Sequence, residues 1–552
     1  MNTKIVLTLS ILLGSIIAQA EMNYSYEMKY GDGMQVKPLI KDTTDYHYFE
    51  NLLDVNAYFG NNIYVYTQLE YSNPPVFGYS RIKLDSMLSA FYIEYAHDRF
   101  NVKLGDLYEL YGRGLGLYTL QDQNIDYNNS IKGLVLNYFL KENLRASTLI
   151  GTGKYAFRSN PSNRISDYQF DTNVSLVSID YENQLFGYFQ AIYVTQKSYF
   201  SSEKIYEDHD IITDICVDQY NDIGEELNAR PGNCFDELGE TPNTINTKNY
   251  NLNWNIFRGS FDIYMDKSWI YYDKIYGNEV FGSRLYTSVY TELFNAGITY
   301  EYKNYYTPYL IKSISNPPIV YREGNSILAS RNAHSINFGN EIGHQIDLNK
   351  NMIGNMNVAA NFSLSHRHQM DDMESIGLVD ILSMKDEDNM YSYYPFRQVY
   401  LELNGWALSE RLYYKVGMDH FTEFYGGKNT SAFTLPTHWV WKLSSESALT
   451  MYLETQRKSV KRVTPGDYTN HYLSASYSHL GKWIITGFYD QENKGSKSNK
   501  WTGADFSYKL STETQVSLFY GSQKGGLVCA NGICAEQPGF EDGYKITFRS
   551  LF

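Results

Sequence analysis

The stretch Met22–Tyr30, Met-Asn-Tyr-Ser-Tyr-Glu-Met-Lys-Tyr, alternates apolar or aromatic residues with polar ones. A period of two over such a length is typical of a β-strand with one apolar face and one polar face. Many later runs repeat this pattern and exceed the five or six residues of an ordinary strand. Because a tilted strand needs about 9–11 residues to cross a bilayer, the stretch predicts a membrane-spanning strand.

The connections between these runs fall into two kinds. We expect short polar turns near 60–62, 97–99, 141–143, 182–184, 349–351, 409–410, 444–446, 480–481 and 511–512. We expect longer connections near 31–47, 73–85, 111–130, 152–168, 200–247, 266–281, 304–333, 367–396, 425–431, 459–468, 492–498 and 523–540. Short periplasmic turns alternating with long extracellular loops are typical of outer-membrane barrels. The fold class predicted is therefore all-β, a single transmembrane antiparallel up-and-down β-barrel of about 24 strands, in the range of about 22–26.

The first twenty residues have the pattern of a secretory signal peptide. Lys4 precedes an apolar run over Ile5–Ile17, and Ala18-Gln19-Ala20 supplies a small-x-small cleavage pattern. We expect cleavage after residue 20. Residues 21–552 would then form the barrel, without a separate plug domain. Its longest extracellular loops are expected at 200–247, 304–333 and 367–396.

The end of the chain carries an independent signal. One face of the last predicted strand holds Tyr544, Ile546, Phe548 and the final Phe552. This resembles the aromatic-ended strand by which the barrel-assembly machinery recognises Gram-negative outer-membrane proteins, although Ser550 departs from an apolar third-last position. The resemblance implies the outer membrane of a Gram-negative bacterium as location, and that machinery as a partner during biogenesis.

Composition narrows the function classes. The chain has 53 tyrosines, and aromatic residues make up 16% of it, as expected where rings favour the lipid–water boundary. A net charge of −15 disfavours nucleic acid as a partner, whereas membrane lipid fits. A secreted β-sandwich or propeller also shows period-two strands. The strand lengths and the terminal phenylalanine favour the barrel.

Four cysteines suit an oxidising compartment. Three pairings are formally open, and proximity favours Cys216 with Cys234 and Cys529 with Cys534. Without a histidine at zinc-like spacing, a metal site built on these pairs is disfavoured.

A glycine-rich stretch stands out at Gly112-Arg113-Gly114-Leu115. It lacks the strand–glycine–helix context of a nucleotide-binding loop. Together with Tyr127–Gly133 (Tyr-Asn-Asn-Ser-Ile-Lys-Gly), it resembles an uncharacterised family of Gram-negative outer-membrane β-barrels with a "GRGL…L" stretch. The resemblance covers roughly 90–140 and implies a barrel but no activity. Arg113 either lines the lumen or forms a structural ion pair with Asp106, Glu109 or another acid of the wall.

Metal sites have weak support from the sequence. The acidic insertion 203–240 could bind Ca²⁺, but its spacing is not that of a calcium loop, and a solvated loop is favoured. His366, His368 and Asp371 form another weak candidate for a metal site. We expect no cofactor and identify no catalytic residues, since no Gly-x-Ser-x-Gly elbow occurs.

Two functions remain open, with an enzyme as a remote third. The first is a pore or channel for small polar solutes, its lumen partly filled by inward loops such as 200–247, 304–333 or 367–396. The second is a non-conducting barrel scaffold that docks a secretion or surface-attachment partner in the cell envelope.

Overall fold

A single antiparallel sheet of 24 strands forms the wall of the protein. The computed structural model describes residues 20–36, 43–73, 87–122, 127–156, 169–199, 244–275, 278–307, 314–324, 326–334, 336–352, 354–368, 390, 393–425, 427–462, 466–530, 533–537 and 539–552. Each wall strand pairs with the next one along the chain, and the first pairs with the last, so the sheet closes on itself. The predicted antiparallel barrel of about 24 strands is confirmed.

The strands are numbered in chain order. The first group is Ala20–Val36 (β1), Thr43–Phe59 (β2), Ile63–Asn73 (β3), Leu88–His97 (β4), Phe100–Leu107 (β5), Leu110–Tyr111 (β6), Leu117–Tyr118 (β7), Gln121–Asp122 (β8), Tyr127–Asn128 (β9) and Ile131–Lys141 (β10). The second is Leu144–Ala156 (β11), Gln169–Asn183 (β12), Gly187–Tyr199 (β13), Thr244–Arg258 (β14), Phe261–Ile275 (β15), Asn278–Leu293 (β16), Ala296–Tyr306 (β17), Asn340–Met352 (β18), Met356–His366 (β19) and Phe396–Ala407 (β20). The third is Leu412–Tyr425 (β21), Lys428–Lys442 (β22), Ser447–Arg462 (β23), Gly466–His479 (β24), Trp483–Lys494 (β25), Lys497–Lys509 (β26), Thr514–Gln523 (β27), Gly526–Ala530 (β28), Ile533–Gln537 (β29) and Gly539–Leu551 (β30). The pairs β6–β7, β8–β9 and β28–β29 form separate two-stranded sheets that are not part of the wall.

The wall has the reverse polarity of a soluble protein. In β14 the inward side chains Asn249, Asn251 and Asn253 are buried, whereas the outward Tyr250 and Leu252 are 46% and 41% exposed. Successive residues of a strand point to opposite faces, so this alternation puts amides inside and apolar surface outside. An exposed apolar outer surface of this extent marks contact with lipid or another apolar phase.

The two ends of the barrel differ in their connections. At one end, the tight-turn end, strands are joined by short turns at 60–62, 98–99, 142–143, 184–186, 259–260, 294–295, 354–355, 408–411, 443–446, 480–482 and 510–513. The first and last wall strands also have their termini there. We call the other end the long-connection end. The predicted alternation of short and long connections is confirmed in part, because the long-connection end also has four connections of only two or three residues.

Five predicted connections are wrong. The turn expected at 349–351 lies within β18, and the connections expected at 266–281, 425–431, 459–468 and 492–498 are mostly strand, with only two or three residues between the paired strands. Residues 266–281 were expected to form a loop, but β15 continues to Ile275 and β16 begins at Asn278. The misleading signal was the polar pair Asp266 and Ser268, which are fully buried inside the barrel. In the sequence, a polar residue on the inward face of a strand cannot be distinguished from a polar loop residue, because its partner inside the barrel is not known.

The first and last strands close the ring. Their register runs from Ser25 opposite Leu551 to Val36 opposite Gly539. At the tight-turn end the Tyr24 amide donates to the Phe552 carbonyl at 3.0 Å, and the Phe552 amide returns the bond at 2.8 Å. The Tyr24 and Phe552 rings stack with centroids 4.7 Å apart.

Several predicted features lie outside the described residues. The expected signal peptide does so except for Ala20, as do Cys216, Cys234, Asp371 and the acidic insertion 203–240. Within the part of the chain that the structure describes, no helix has the length and apolarity needed to cross a bilayer.

Candidate functional site

Two segments fold from the long-connection end into the barrel. We call the described residues 108–122 and 127–130, between β5 and β10, the first inner segment, and the described residues of 314–339, which are all but 325 and 335 and lie between β17 and β18, the second inner segment. The second falls largely within the predicted loop 304–333, and the first contains the glycine-rich stretch. Their contacts with inward-facing wall side chains define the candidate functional site.

Glycines shape the tip of the first inner segment. Gly112 and Gly114 have φ values of 65° and 89°, in the left-handed region that disfavours other residues. A Cβ on Gly114 would lie 2.1 Å from the Asn316 carbonyl oxygen. The Asn316 amide donates to the Gly114 carbonyl at 3.0 Å, so the two inner segments touch at this point. Here the glycines serve a tight turn and a close backbone approach.

The same tip is bonded to the wall. The Gly112 amide donates to the Gln190 side chain at 3.1 Å, and the Arg113 amide donates to the Asp266 carboxylate at 2.9 Å. The Asn249 side chain donates to the Leu115 carbonyl at 2.9 Å. These partners lie on β13, β15 and β14, so backbone groups of the tip are satisfied by inward amides and a carboxylate.

The structure places the Arg113 side chain inside the barrel. Its guanidinium lies 4.2 Å from the Tyr264 ring centroid and donates to the Tyr286 hydroxyl at 3.1 Å. That hydroxyl donates in turn to the Glu301 carboxylate. A planar cation stacked on one ring and bonded to another is a geometry that arginine suits and lysine does not.

The two acids expected as Arg113 partners contact other groups. Asp106 accepts from the Phe91 amide at 2.8 Å and from the Ser130 hydroxyl at 2.9 Å. Glu109 lies 3.6 Å from the Lys103 ammonium. The wall acid nearest the arginine backbone is Asp266 instead, on a strand that the sequence reading assigned to a loop.

The second inner segment starts beside its own strand. The Lys303 ammonium donates to the Ile319 carbonyl at 2.5 Å, and the Tyr305 hydroxyl donates to the Pro318 carbonyl at 2.9 Å. Both donors are on β17 and fully buried. This part of the segment is therefore fixed to the neighbouring wall.

Its turn Ile327–Arg331 reaches distant strands. The Ile327 and Leu328 amides donate to the two carboxylate oxygens of Glu454 at 3.0 and 2.8 Å. The Arg331 guanidinium meets Asp490 through two hydrogen bonds, one of them from Nη1 to Oδ1 at 3.2 Å. Since β17 and β25 are eight places apart in the ring of 24 strands, the segment crosses the lumen.

A buried ionic cluster holds the end of the second inner segment. His334 Nδ1 lies 2.7 Å from Glu423 Oε1, and its Nε2 lies 3.1 Å from Glu341 Oε1. Lys303 lies 2.6 Å from the same Glu341 oxygen. Burial by itself lowers the pKa of His334, but the two carboxylates outweigh it and raise that pKa above its ordinary value. The two carboxylates therefore favour the protonated, cationic form of the ring.

Ser365 gives this cluster the outline of a Ser-His-Glu triad. Its hydroxyl lies 3.0 Å from His334 Nε2, and Glu423 lies on the other ring nitrogen. A general base must accept a proton, and two carboxylates that favour the cationic ring oppose that step. The serine is also 1% exposed, so it cannot be reached by a substrate. The cluster anchors the inner segment and gives no basis for hydrolase chemistry.

The histidines proposed as metal ligands have other partners. His366 Nδ1 lies 2.8 Å from the Arg367 carbonyl. His368 Nδ1 and Nε2 lie 2.7 and 3.1 Å from the side-chain oxygens of Asn340 and Asn304. Burial lowers the pKa of His368 to about 4. Within the described residues no group of three or more His, Cys, Asp or Glu could hold a metal ion.

Two cavities flank the turn Ile327–Arg331. The one toward the tight-turn end has a volume of about 580 Å³ and includes Lys415, His438, Tyr452 and Tyr472 in its lining. The one toward the long-connection end has a volume of about 500 Å³ and includes Arg331, Lys428, Lys458 and Lys524. Each is large enough for a small solute. The turn separates them where it contacts Glu454, Gln456 and Asp490.

Part of the lumen wall is not covered by the inner segments. On β1 and β30 the inward side chains of Lys29 and Arg549 are 34% and 65% exposed. On the covered side, inward Asp266, Arg284 and Lys303 are 0% exposed. Charged side chains that point inward and remain exposed indicate a hydrated sector of the lumen.

Cysteine positions are described only for one predicted pair. The hairpin β28–β29 places Cys529 directly opposite Cys534. Residues opposed in this way have Cα atoms about 4.5–5.5 Å apart, within the range a disulfide spans. The disulfide itself stays a prediction.

The sequence reading missed the anchoring acids Asp266, Glu454 and Asp490. A usable signal was present for Glu454 and Asp490, because each lies in the interior of a long strand on its polar face, whereas Asp266 falls in the predicted connection 266–281. A buried carboxylate needs donors: Asp266 receives them from Asn251 and Tyr264 of the wall as well as from the Arg113 amide, whereas Glu454 and Asp490 receive theirs from the second inner segment. Such acids point to a donor from inside the barrel.

The sequence and fold were compared with those of known proteins. A family model described as a family of unknown function (DUF6029) matches residues 5–211 and 279–552. No curated protein matches the sequence.

Solved structures with a similar fold include a mutant ferric enterobactin receptor (PfeA) from Pseudomonas aeruginosa, 8% identical with a TM-score of 0.44, covering 97% of this chain and 81% of that one. The siderophore receptor PirA from Pseudomonas aeruginosa is 7% identical with a TM-score of 0.42, covering 96% and 80%. The translocation pore of the P pilus usher (PapC) is 11% identical with a TM-score of 0.40, covering 96% and 99%. At such values the likeness says nothing about function.

Proposed function

The chain belongs to DUF6029, a family of unknown function, and we propose that it is an outer-membrane pore for small polar solutes, narrowed by its two inner segments. The short turns would face the periplasm and the long connections the exterior, as in other bacterial barrels. The outward apolar surface supports the membrane setting, because exposed Tyr250, Leu252 and Met265 would otherwise be in water.

One observation supports the proposed pore most directly. Inward-facing Arg549 and Lys29 remain 65% and 34% exposed although both belong to the wall. A barrel filled by its inner segments would bury such groups, as it does Lys303, whereas Lys29 and Arg549 both pair with Glu27 and still remain open to water. The hydrated sector beside β30 and β1 therefore supports a water-filled path through a ring of 24 strands.

Planar-bilayer recording tests this function. Purified, refolded protein should give discrete conductance steps in KCl. A large, water-soluble blocker added to one side should reduce them. A barrel that folds and inserts but never conducts would remove the proposal.

A non-conducting scaffold that docks an envelope partner is the second candidate. It is favoured by the extent to which inner segments bury the inward faces of β13 to β17, including fully buried Asp266, Arg284 and Lys303. Cross-linking in native membranes would recover one stoichiometric envelope protein if this candidate holds. Recovery of barrel-assembly components alone would count against it.

A further inference from the structure

The cavity of about 500 Å³ toward the long-connection end, which we call the basic cavity, has more cations than carboxylates in its lining. Arg331, Lys428, Lys458 and Lys524 line it, and Glu492 is the carboxylate in that lining. The whole chain carries a net charge of −15, so this is a local reversal of sign. Like charges gathered in one low-dielectric recess need a counter-charge.

Two of the four cations are already paired. Lys524 lies 2.5 Å from Glu492, and Arg331 is bonded to Asp490 just below the cavity. Lys428 and Lys458 have no carboxylate within ion-pair distance among the described residues. The cavity therefore contains two lysines that have no ion pair of their own among the described residues.

The cations come from separate elements. Lys428 begins β22, Lys458 lies on β23, and Lys524 follows β27. Arg331 belongs to the turn of the second inner segment. An anion held between them would bridge the wall and the inner segment, with the Thr430 hydroxyl and the Asn470 amide also in the lining. Lysine serves as a point-charge ligand for phosphate and carboxylate groups.

We propose that the basic cavity binds small soluble anions carrying two or more phosphate or carboxylate charges. The volume suits such a ligand, since small-molecule sites measure about 300–1,000 Å³. The cavity lies on the inward faces of β22 to β25, so the ligand is a solute inside the ring. A role of this site in transport rests on the proposed pore. In that case the site would select anions among the solutes that the pore admits.

Binding can be measured without conduction. Isothermal titration calorimetry on the detergent-solubilised full chain, with inorganic pyrophosphate as the probe, should show saturable binding that weakens with added NaCl. Acetate, with a single charge, should bind more weakly.

The double variant Lys428→Gln/Lys458→Gln removes the two lysines that have no ion pair of their own and leaves the Lys524–Glu492 and Arg331–Asp490 pairs in place. Pyrophosphate affinity should fall about tenfold or more. Lys141→Gln/Lys482→Gln removes two exposed charges at the tight-turn end and should leave affinity unchanged. Lys458→Arg keeps the charge and should retain pyrophosphate binding. That result would show that the affinity lost in the double variant is due to the lost charge.

Wild-type protein that does not bind pyrophosphate, or equal affinity in both double variants, would overturn the site. Pyrophosphate binding without any channel activity would instead refute the pore and leave the anion site supported. Conductance without pyrophosphate binding would refute the anion site and leave the pore supported.

Discussion

Arg331 and Asp490 are 159 positions apart in sequence, yet they join the turn of the second inner segment to the far wall of the barrel. The guanidinium is 18% exposed and the carboxylate 3% exposed, so the pair is largely shielded from water. Together with Glu454, which accepts from Ile327 and Leu328, it fixes the position of the turn between the two cavities.

Arg331→Ala should loosen that turn. Charged hydrogen bonds contribute about 1.5–3 kcal/mol, which corresponds to about tenfold or more in the population of a displaced turn. In planar bilayers we expect larger or more frequent openings. Arg457→Ala, an exposed arginine on the outward face of β23, is the matched control. The charge swap R331D/D490R should restore the wild-type record, and unchanged openings in R331A would contradict this role.

Arg113→Lys should weaken the first inner segment even though the charge is kept. Lysine cannot stack its plane on Tyr264 while donating to Tyr286. We expect faster hydrogen–deuterium exchange across 110–118, while Arg99→Ala in a tight turn leaves that region unchanged. Equal exchange in R113K and wild type would show that a positive charge alone suffices.

Gly114→Ala should separate the two inner segments. Its φ is 89°, and the new Cβ would lie 2.1 Å from the Asn316 carbonyl oxygen. Gly481→Ala is the control because it shares a positive φ, 62°, with nothing within 4 Å. We expect about 1 kcal/mol of strain in the control and clearly more in G114A, read from thermal unfolding and from exchange across 314–319. Equal effects would mean that the contact does not matter.

His334 should make the second inner segment sensitive to pH. Its pKa is raised in the folded protein by Glu341 and Glu423, with Lys303 beside the same Glu341 oxygen. A raised folded pKa gives stability that is present in full below the unfolded value and lost as pH rises through the folded value. Exchange across 326–334, corrected for its intrinsic pH dependence, should therefore increase on the alkaline side. His334→Gln should remove this dependence, and identical profiles would refute it.

Cys529 and Cys534 should form a disulfide in protein isolated from an oxidising compartment. Their opposed positions in β28–β29 fit the Cα separation that a disulfide needs. Peptide mass spectrometry after alkylation, with and without reduction, would detect it. Both thiols alkylated without a reductant would rule it out.

The wall was predictable from sequence because its rules are local. Alternation such as that of Tyr24, Tyr26 and Met28 needs neighbours two residues apart, and the turn at 60–62 needs only its own residues. The error at 266–281 arose where Asp266 and Ser268 made a strand look like a loop. Their burial depends on the first inner segment, which enters from another part of the chain.

The lumen was not predictable in the same way. A long loop outside the barrel and one folded inside it share composition, so 111–130 and 304–333 read as connections. What places them inside are single long-range contacts, such as Arg113 with Tyr286 or Gln456 with Leu328. No periodicity encodes these partners, although interior carboxylates such as Asp490 hint that a donor is needed.

The pairing of β1 with β30 makes closure of the ring depend on the two outermost strands of the chain. Ser25 meets Leu551 across almost the entire sequence, so one edge of β1 has no partner until β30 is in place. A chain that lacked β30 would leave the edges of β1 and β27 open, and open strand edges pair readily with other chains. Loss of the last strand would therefore favour aggregation rather than a barrel that is one strand smaller.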